Sequence, residues 1–100
     1  MFALVVRFYL RDEEAARGFD DLVGETTAKI RENEPGTLLY AVHKVKDAPL
    51  SRMFYELYES REAFDAHELQ EHTKRFLDER EQYLTGARVE FLDPPTGKGV

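Results

Sequence analysis

The sequence predicts an α+β protein of ferredoxin-like plan, a split βαβ with a four-stranded antiparallel sheet. Three observations carry this reading. Strand-type and helix-type segments follow the order β-α-β-β-α-β. The second and third strand segments, Thr37–Lys46 and Arg52–Glu59, are joined by Asp47–Ser51, a connection short enough for an antiparallel hairpin. The strand residues are largely apolar on both faces, whereas this plan puts helices on one face only. The second face therefore needs its own cover, and two sheets packed face to face in a homodimer would supply it.

Residues 2–10 are rich in Val, Phe, Leu and Tyr and contain neither Gly nor Pro, which reads as the first strand. Leu4, Val6 and Phe8 share one face, and Val5, Arg7 and Tyr9 the other. Asp12 offers a helix N-cap, with Glu13 and Glu14 complementing the dipole in the first turn. Ala15, Phe19, Leu22, Val23, Thr26 and Ile30 then recur as one apolar helical stripe. Small Gly18 and Gly24 leave room for close approach of another element. Asn33 and Pro35 stop the helix and Gly36 supplies a turn. Ser60 caps a short second helix carrying Ala63, Phe64 and His67. A break near His72 or Thr73 leads to a helical piece with Phe76, Leu77, Arg80, Tyr83 and Leu84, ended by Gly86. Ala87–Leu92 is the last strand. The expected organisation is one domain over residues 1–93 and a loose tail over residues 94–100.

Composition narrows the function. The chain is 42% apolar and 12% aromatic, as in a globular domain. A net charge of −6, with basic residues scattered among acids, argues against nucleic-acid binding. With no cysteine, there is no disulfide, thiolate metal site or cysteine nucleophile. No signal-peptide pattern or membrane-length apolar run is present, so the default expectation is a cytoplasmic protein without membrane contact. The chain also lacks a glycine-rich nucleotide fingerprint, a P-loop and a nucleophile elbow, so a flavin or nicotinamide site has no support.

The residues that remain for chemistry lie between Tyr40 and Phe76. His67 follows Ala63 by four positions and Phe64 by three, which turns it toward the sheet. It reads as a proton-handling or hydrogen-bonding group, or as a structural histidine tied to a strand carboxylate. Glu56, between Phe54 and Tyr58 on one strand face, is costly to bury without a partner, and His67 is the expected one. Tyr40 and Tyr58 are candidates to stack on a planar ring or donate to its oxygen, or are core residues with a wet hydroxyl. His67 and His72 stand five positions apart, about 140° around an unbroken helix, so a shared metal needs a helix break between them. No metal site is assigned, and His72 is expected to cap the second helical piece. His43 is expected to be structural.

One order of features joins these residues: the turn Glu34-Pro35-Gly36-Thr37, then Tyr40, then the strand end Phe54-Tyr55-Glu56-Leu57-Tyr58-Glu59. Ser60, Ala63-Phe64 and the pair His67 and His72 follow. This order resembles the antibiotic biosynthesis monooxygenase (ABM) family of dimeric α+β barrel proteins. The resemblance implies a cofactor-independent monooxygenase oxidising a small aromatic, quinol or polyketide-like substrate. His67 would act as base or anion donor with Glu56 orienting it, and Tyr58, Phe54, Tyr40 and Phe76 would form the substrate wall. Two other readings stand beside it. One is a non-catalytic dimeric module that binds a small ligand. The other is a haem-binding or haem-degrading relative, whose usual asparagine on the first strand and tryptophan are both missing here. Isomerisation or hydrolysis of a small carbonyl compound would use the same histidine.

Overall fold

Phe2–Leu10 forms strand β1, which lies inside the sheet rather than at its edge. A computed structural model describes all residues, Met1–Val100. Four antiparallel strands run in the order β2-β3-β1-β4, with β2 spanning Thr37–Val45, β3 Ala48–Tyr58 and β4 Leu84–Leu92. This is the expected ferredoxin-like sheet. Alternation along β1 sends Leu4, Val6, Phe8 and Leu10 under the helices, while Val5, Arg7 and Tyr9 take the outer face.

Helix α1 (Glu13–Asn33) starts where Asp12 accepts a hydrogen bond from the Ala15 backbone N–H at 2.8 Å. Its buried side is the expected stripe with Ala16 added. Gly18 is needed for packing. A Cβ there would stand 2.5 Å from the Tyr83 ring, which rests against the helix. Gly36 lies in the expected turn and serves packing too. A Cβ there would lie 2.8 Å from the Ala63 Cβ, so the bare backbone lets the second helix settle on the start of β2.

The β2–β3 hairpin is tighter than the sequence suggests. The chain reverses at Lys46 and Asp47, Asp47 takes a left-handed conformation (φ 64°), and β3 already begins at Ala48. Asp tolerates this region because its short polar side chain can hydrogen-bond locally. Pro49 fits inside β3 because β1 pairs with that strand only from Ser51 onward, so no β1 partner requires its missing N–H.

Ser60 caps α2 (Arg61–Glu68), accepting from the Ala63 N–H at 3.1 Å. The break falls at Leu69 and Gln70, earlier than expected, and α3 (Glu71–Glu79) follows. Gln70, not His72, occupies the N-cap position, without a side-chain cap bond. A 3-10 turn, Arg80–Tyr83, leads directly into β4, so Leu84 and Gly86 are strand residues. Residues after Leu92 form no regular element.

The core between sheet and helices is an aromatic lattice. Phe8 and Phe54 meet edge to face at 4.7 Å, Phe8 and Phe19 at 5.1 Å, and Phe76 closes the group 5.9 Å from Phe19. The opposite sheet face carries Leu39, Ala41 and His43 of β2, Met53, Tyr55 and Leu57 of β3, and Val5 and Arg7 of β1. No helix of this chain is long and apolar enough to cross a membrane.

Candidate functional site

The site grows from a helix end that carries the wrong charge for its dipole. Glu34 follows α1 at its C-terminal end, where a carboxylate is unfavourable unless other groups compensate. Three donors do so. His67 Nδ1 lies 2.7 Å from Glu34 Oε1, the Thr37 hydroxyl donates to the same oxygen at 2.7 Å, and His72 Nε2 donates to Oε2. The Glu34 side chain is only 4% exposed. Burial pulls its pKa upward, but the bonds from His67, His72 and Thr37 outweigh this and leave the carboxyl below its ordinary range.

The helix break makes this convergence feasible. Leu69 and Gln70 interrupt the α-helical path, so two histidines that an unbroken helix would splay apart reach the two oxygens of one carboxylate. Each imidazole spends a nitrogen on Glu34, and no group of three or more His, Cys, Asp or Glu side chains has metal-holding geometry. His72 is thus a carboxylate partner and not a helix cap.

Glu34 also defines the protonation pattern of His67. A carboxylate only accepts, so Nδ1 is the protonated nitrogen and Nε2 of the neutral ring carries the free lone pair. The Thr73 hydroxyl stands 3.4 Å from Nδ1. The ring sits among aromatics, 5.3 Å from Tyr58 and 5.8 Å from Tyr40 by centroid.

His67 lines a cavity of about 170 Å³ between the sheet and the α2–α3 pair. Leu4, Val6, Phe8, Phe64 and Phe91 make much of its wall, and Glu56, Glu68, Thr73 and Arg80 are among its polar residues. Of the six residues expected at the site, the structure brings His67, Glu56, Tyr40 and Phe76 to this cavity. Phe54 and Tyr58 lie beneath it, almost wholly buried, and do not line it.

The expected pairing is corrected. His67 bonds Glu34 and not Glu56, while Glu56 Oε1 accepts from the Tyr58 hydroxyl at 2.6 Å. Burial raises the Glu56 pKa, and the Tyr58 bond and the nearby His67 only partly offset this. The Tyr58 phenol is pushed far up by burial and by the Glu56 charge and hydrogen bond, so it stays a donor. Tyr40 is likewise raised, by burial and then by Glu56 and Glu34. Two other polar strand residues fall elsewhere. His43 is exposed on the outer sheet face in register with Met53, and Arg7 points to that face and donates to Ser51 Oγ at 3.2 Å.

Sequence reasoning missed Glu34 and Arg80. Glu34 had a readable signal, an acid at the C-terminal end of a helix. Arg80 had another, a cation four positions after Phe76 on an otherwise aromatic and aliphatic stripe.

A four-stranded antiparallel sheet backed by helices on one face defines an α+β protein of ferredoxin-like fold. The chain belongs to the antibiotic biosynthesis monooxygenase family, whose profile matches residues 1–79. Rv0793 of Mycobacterium tuberculosis is 24% identical and superposes with a TM-score of 0.87, over 98% of each chain. A Caulobacter crescentus protein provisionally assigned to the same monooxygenases is 24% identical, with a TM-score of 0.87 over 95% of this chain and 90% of its own. A similarly assigned Nitrosomonas europaea protein is 19% identical, with a TM-score of 0.83 over 94% and 98%. At these identities the likeness is one of fold. No curated protein matches the chain.

Proposed function

We propose that the protein is a cofactor-independent monooxygenase acting on a small phenol or hydroquinone. The observation that carries this reading is the His67 imidazole, held by Glu34 with Nε2 as its basic nitrogen, in the wall of an apolar cavity. Membership of a monooxygenase family supports the reaction class. A cavity near 170 Å³ suits one aromatic ring, since an apolar cavity of about 150 Å³ takes up benzene. That size weighs against three fused rings and against a haem macrocycle.

The chemistry runs on the substrate's own electrons. His67 Nε2 takes a phenolic proton, and the phenolate passes one electron to dioxygen. The resulting radical pair forms a carbon–oxygen bond, giving a ring hydroperoxide. The O–O bond then breaks. One oxygen stays on the ring, and the other leaves as water with two hydrogens from the quinol. Hydroquinone plus dioxygen thus gives hydroxyquinone plus water. The apolar wall limits water at the anion and strengthens electrostatic interactions there. Glu56 lines the same cavity, and burial raises its pKa, partly offset by the Tyr58 hydrogen bond and the nearby His67.

The working unit in this proposal is a homodimer joined through the outer sheet faces. The apolar outer face carrying Val5, Tyr55 and Leu57 supports it, as does Arg7, whose buried Nε has no hydrogen-bond partner within the chain.

Oxygen uptake by metal-stripped protein with monocyclic hydroquinones is the test. Uptake above autoxidation, reduced roughly a hundredfold in His67→Ala, is the expected result. Ligand-induced thermal stabilisation without uptake would replace the oxygenase by a binding module.

A further inference from the structure

We infer that Arg80 is the anion-recognition residue of the cavity and that the ligand is a single aromatic ring bearing a carboxylate. The inference rests on the proposed small-aromatic site and names its substrate class.

Arg80 opens the 3-10 turn after α3 and lines the cavity that His67 and Glu56 also line. Its side chain is 22% exposed, and its Nε is buried without any hydrogen-bond partner. Buried N–H donors are rarely left unpaired, and a charged one is the costliest to leave so. The nearest carboxylate is Glu81, 3.8 Å from Nε and itself 72% exposed, which is a solvated neighbour and not a buried counter-ion. Below the guanidinium lie the rings of Phe8 and Phe76, 5.5 Å and 5.7 Å from its centre. These rings hold the fork against the cavity wall without using its hydrogen-bonding capacity.

The other acids of the cavity do not pair with this guanidinium. Glu56 accepts from Tyr58 and Glu68 is exposed, and Glu81 is the one carboxylate within 4 Å of Arg80. A planar carboxylate matches the guanidinium fork in shape and charge. With the ring in the apolar part of the cavity, its hydroxyl would face His67 and its carboxylate Arg80. The carboxylate takes no part in the oxygenation and passes unchanged into the product.

The test is binding in the absence of oxygen, by isothermal titration, of 2,5-dihydroxybenzoate and its neutral isostere 2,5-dihydroxybenzamide. The native protein is expected to favour the acid by about tenfold or more. Arg80→Gln should bring the two ligands to near parity, the acid losing far more affinity than the amide, with a cooperative thermal transition showing that the variant is folded. Should Arg80→Gln fail to fold, Arg80→Lys decides: a reduced preference supports the fork and an undiminished one overturns it. Equal native affinities, a preference that survives Arg80→Gln, or no binding of either compound also overturns the inference. The two readings fail separately. Oxygen uptake with neutral hydroquinones but no acid preference sinks only the role of Arg80. Tight acid binding with no uptake sinks only the oxygenase.

Discussion

Glu34 and His67, 33 positions apart in sequence, meet at 2.7 Å with both side chains almost fully buried. The contact fixes which imidazole nitrogen is basic and ties the end of α1 to α2. Because His72 and Thr37 share the same carboxylate, its loss reaches three segments at once.

Glu34→Gln should therefore destabilise the fold by about 3 kcal/mol near neutral pH, as expected when one partner of a buried charged cluster is removed. The native Glu34 pKa is depressed, so the folded chain binds fewer protons there than the unfolded one. Its contribution is complete above the ordinary value of 4.5 and disappears as the pH falls through the lower folded value. Thermal melts of both proteins from pH 7 to pH 3 should show the difference in Tm shrinking below pH 4.5. A constant difference would contradict the assignment.

Glu56 should behave in the opposite sense. Its folded pKa is raised, so its contribution is present below the unfolded value and is lost as the pH rises through the folded one. Glu56→Gln keeps an acceptor for Tyr58 and removes the buried charge. It should raise stability at pH 8 by roughly 1 kcal/mol while lowering turnover, the usual exchange at a functional site. Chemical denaturation beside an oxygen-uptake assay measures both.

Tyr58→Phe deletes the hydroxyl that donates to Glu56. The buried carboxyl then loses a partner, at a cost of about 2 kcal/mol. Because that bond lowers the Glu56 pKa, its removal should push the carboxyl further up. Carbon-13 titration of the Glu56 side chain would follow the shift, and a downward movement would refute the pairing.

The glycines offer a matched pair. At Gly36 a methyl group would strike Ala63, so Gly36→Ala should cost about 2 kcal/mol. At Gly24, inside α1, a Cβ meets nothing within 4 Å. Gly24→Ala should accordingly stabilise by about 0.8 kcal/mol through helix propensity. Urea midpoints at constant m-value report both signs.

The proposed sheet-to-sheet dimer makes Tyr55 a seam residue. Tyr55→Glu would place a charge in the middle of that face and should give a folded monomer by sedimentation velocity. A variant that remains dimeric would move the interface elsewhere.

Periodicity and capping made most of the fold legible. The β1 alternation, the Asp12 and Ser60 caps and the α1 stripe are local signals, and the structure contains each of them. The helix break was misplaced because Leu69 and Gln70 carry no Gly or Pro; long-range bonds to Glu34 compensate for the interruption there. The site was only half legible for the same reason. A strand carboxylate near an aromatic histidine looked like its partner, yet the partner comes from the end of another helix. Sequence spacing does not report which of two acids a folded chain brings within 3 Å.

The junction at Glu34 also has a meaning for assembly. It couples the β1-α1-β2 half of the chain to the half that begins with β3, bridging separations of 33 and 38 residues. Neither half alone contains both the carboxylate and the imidazoles. A ribosome-bound nascent chain, or a species with only one half ordered, holds His67 with no fixed tautomer. Under the proposed chemistry, readiness for proton transfer would arise only when the two halves dock, and a half-assembled chain would have no oriented base to offer a stray phenol.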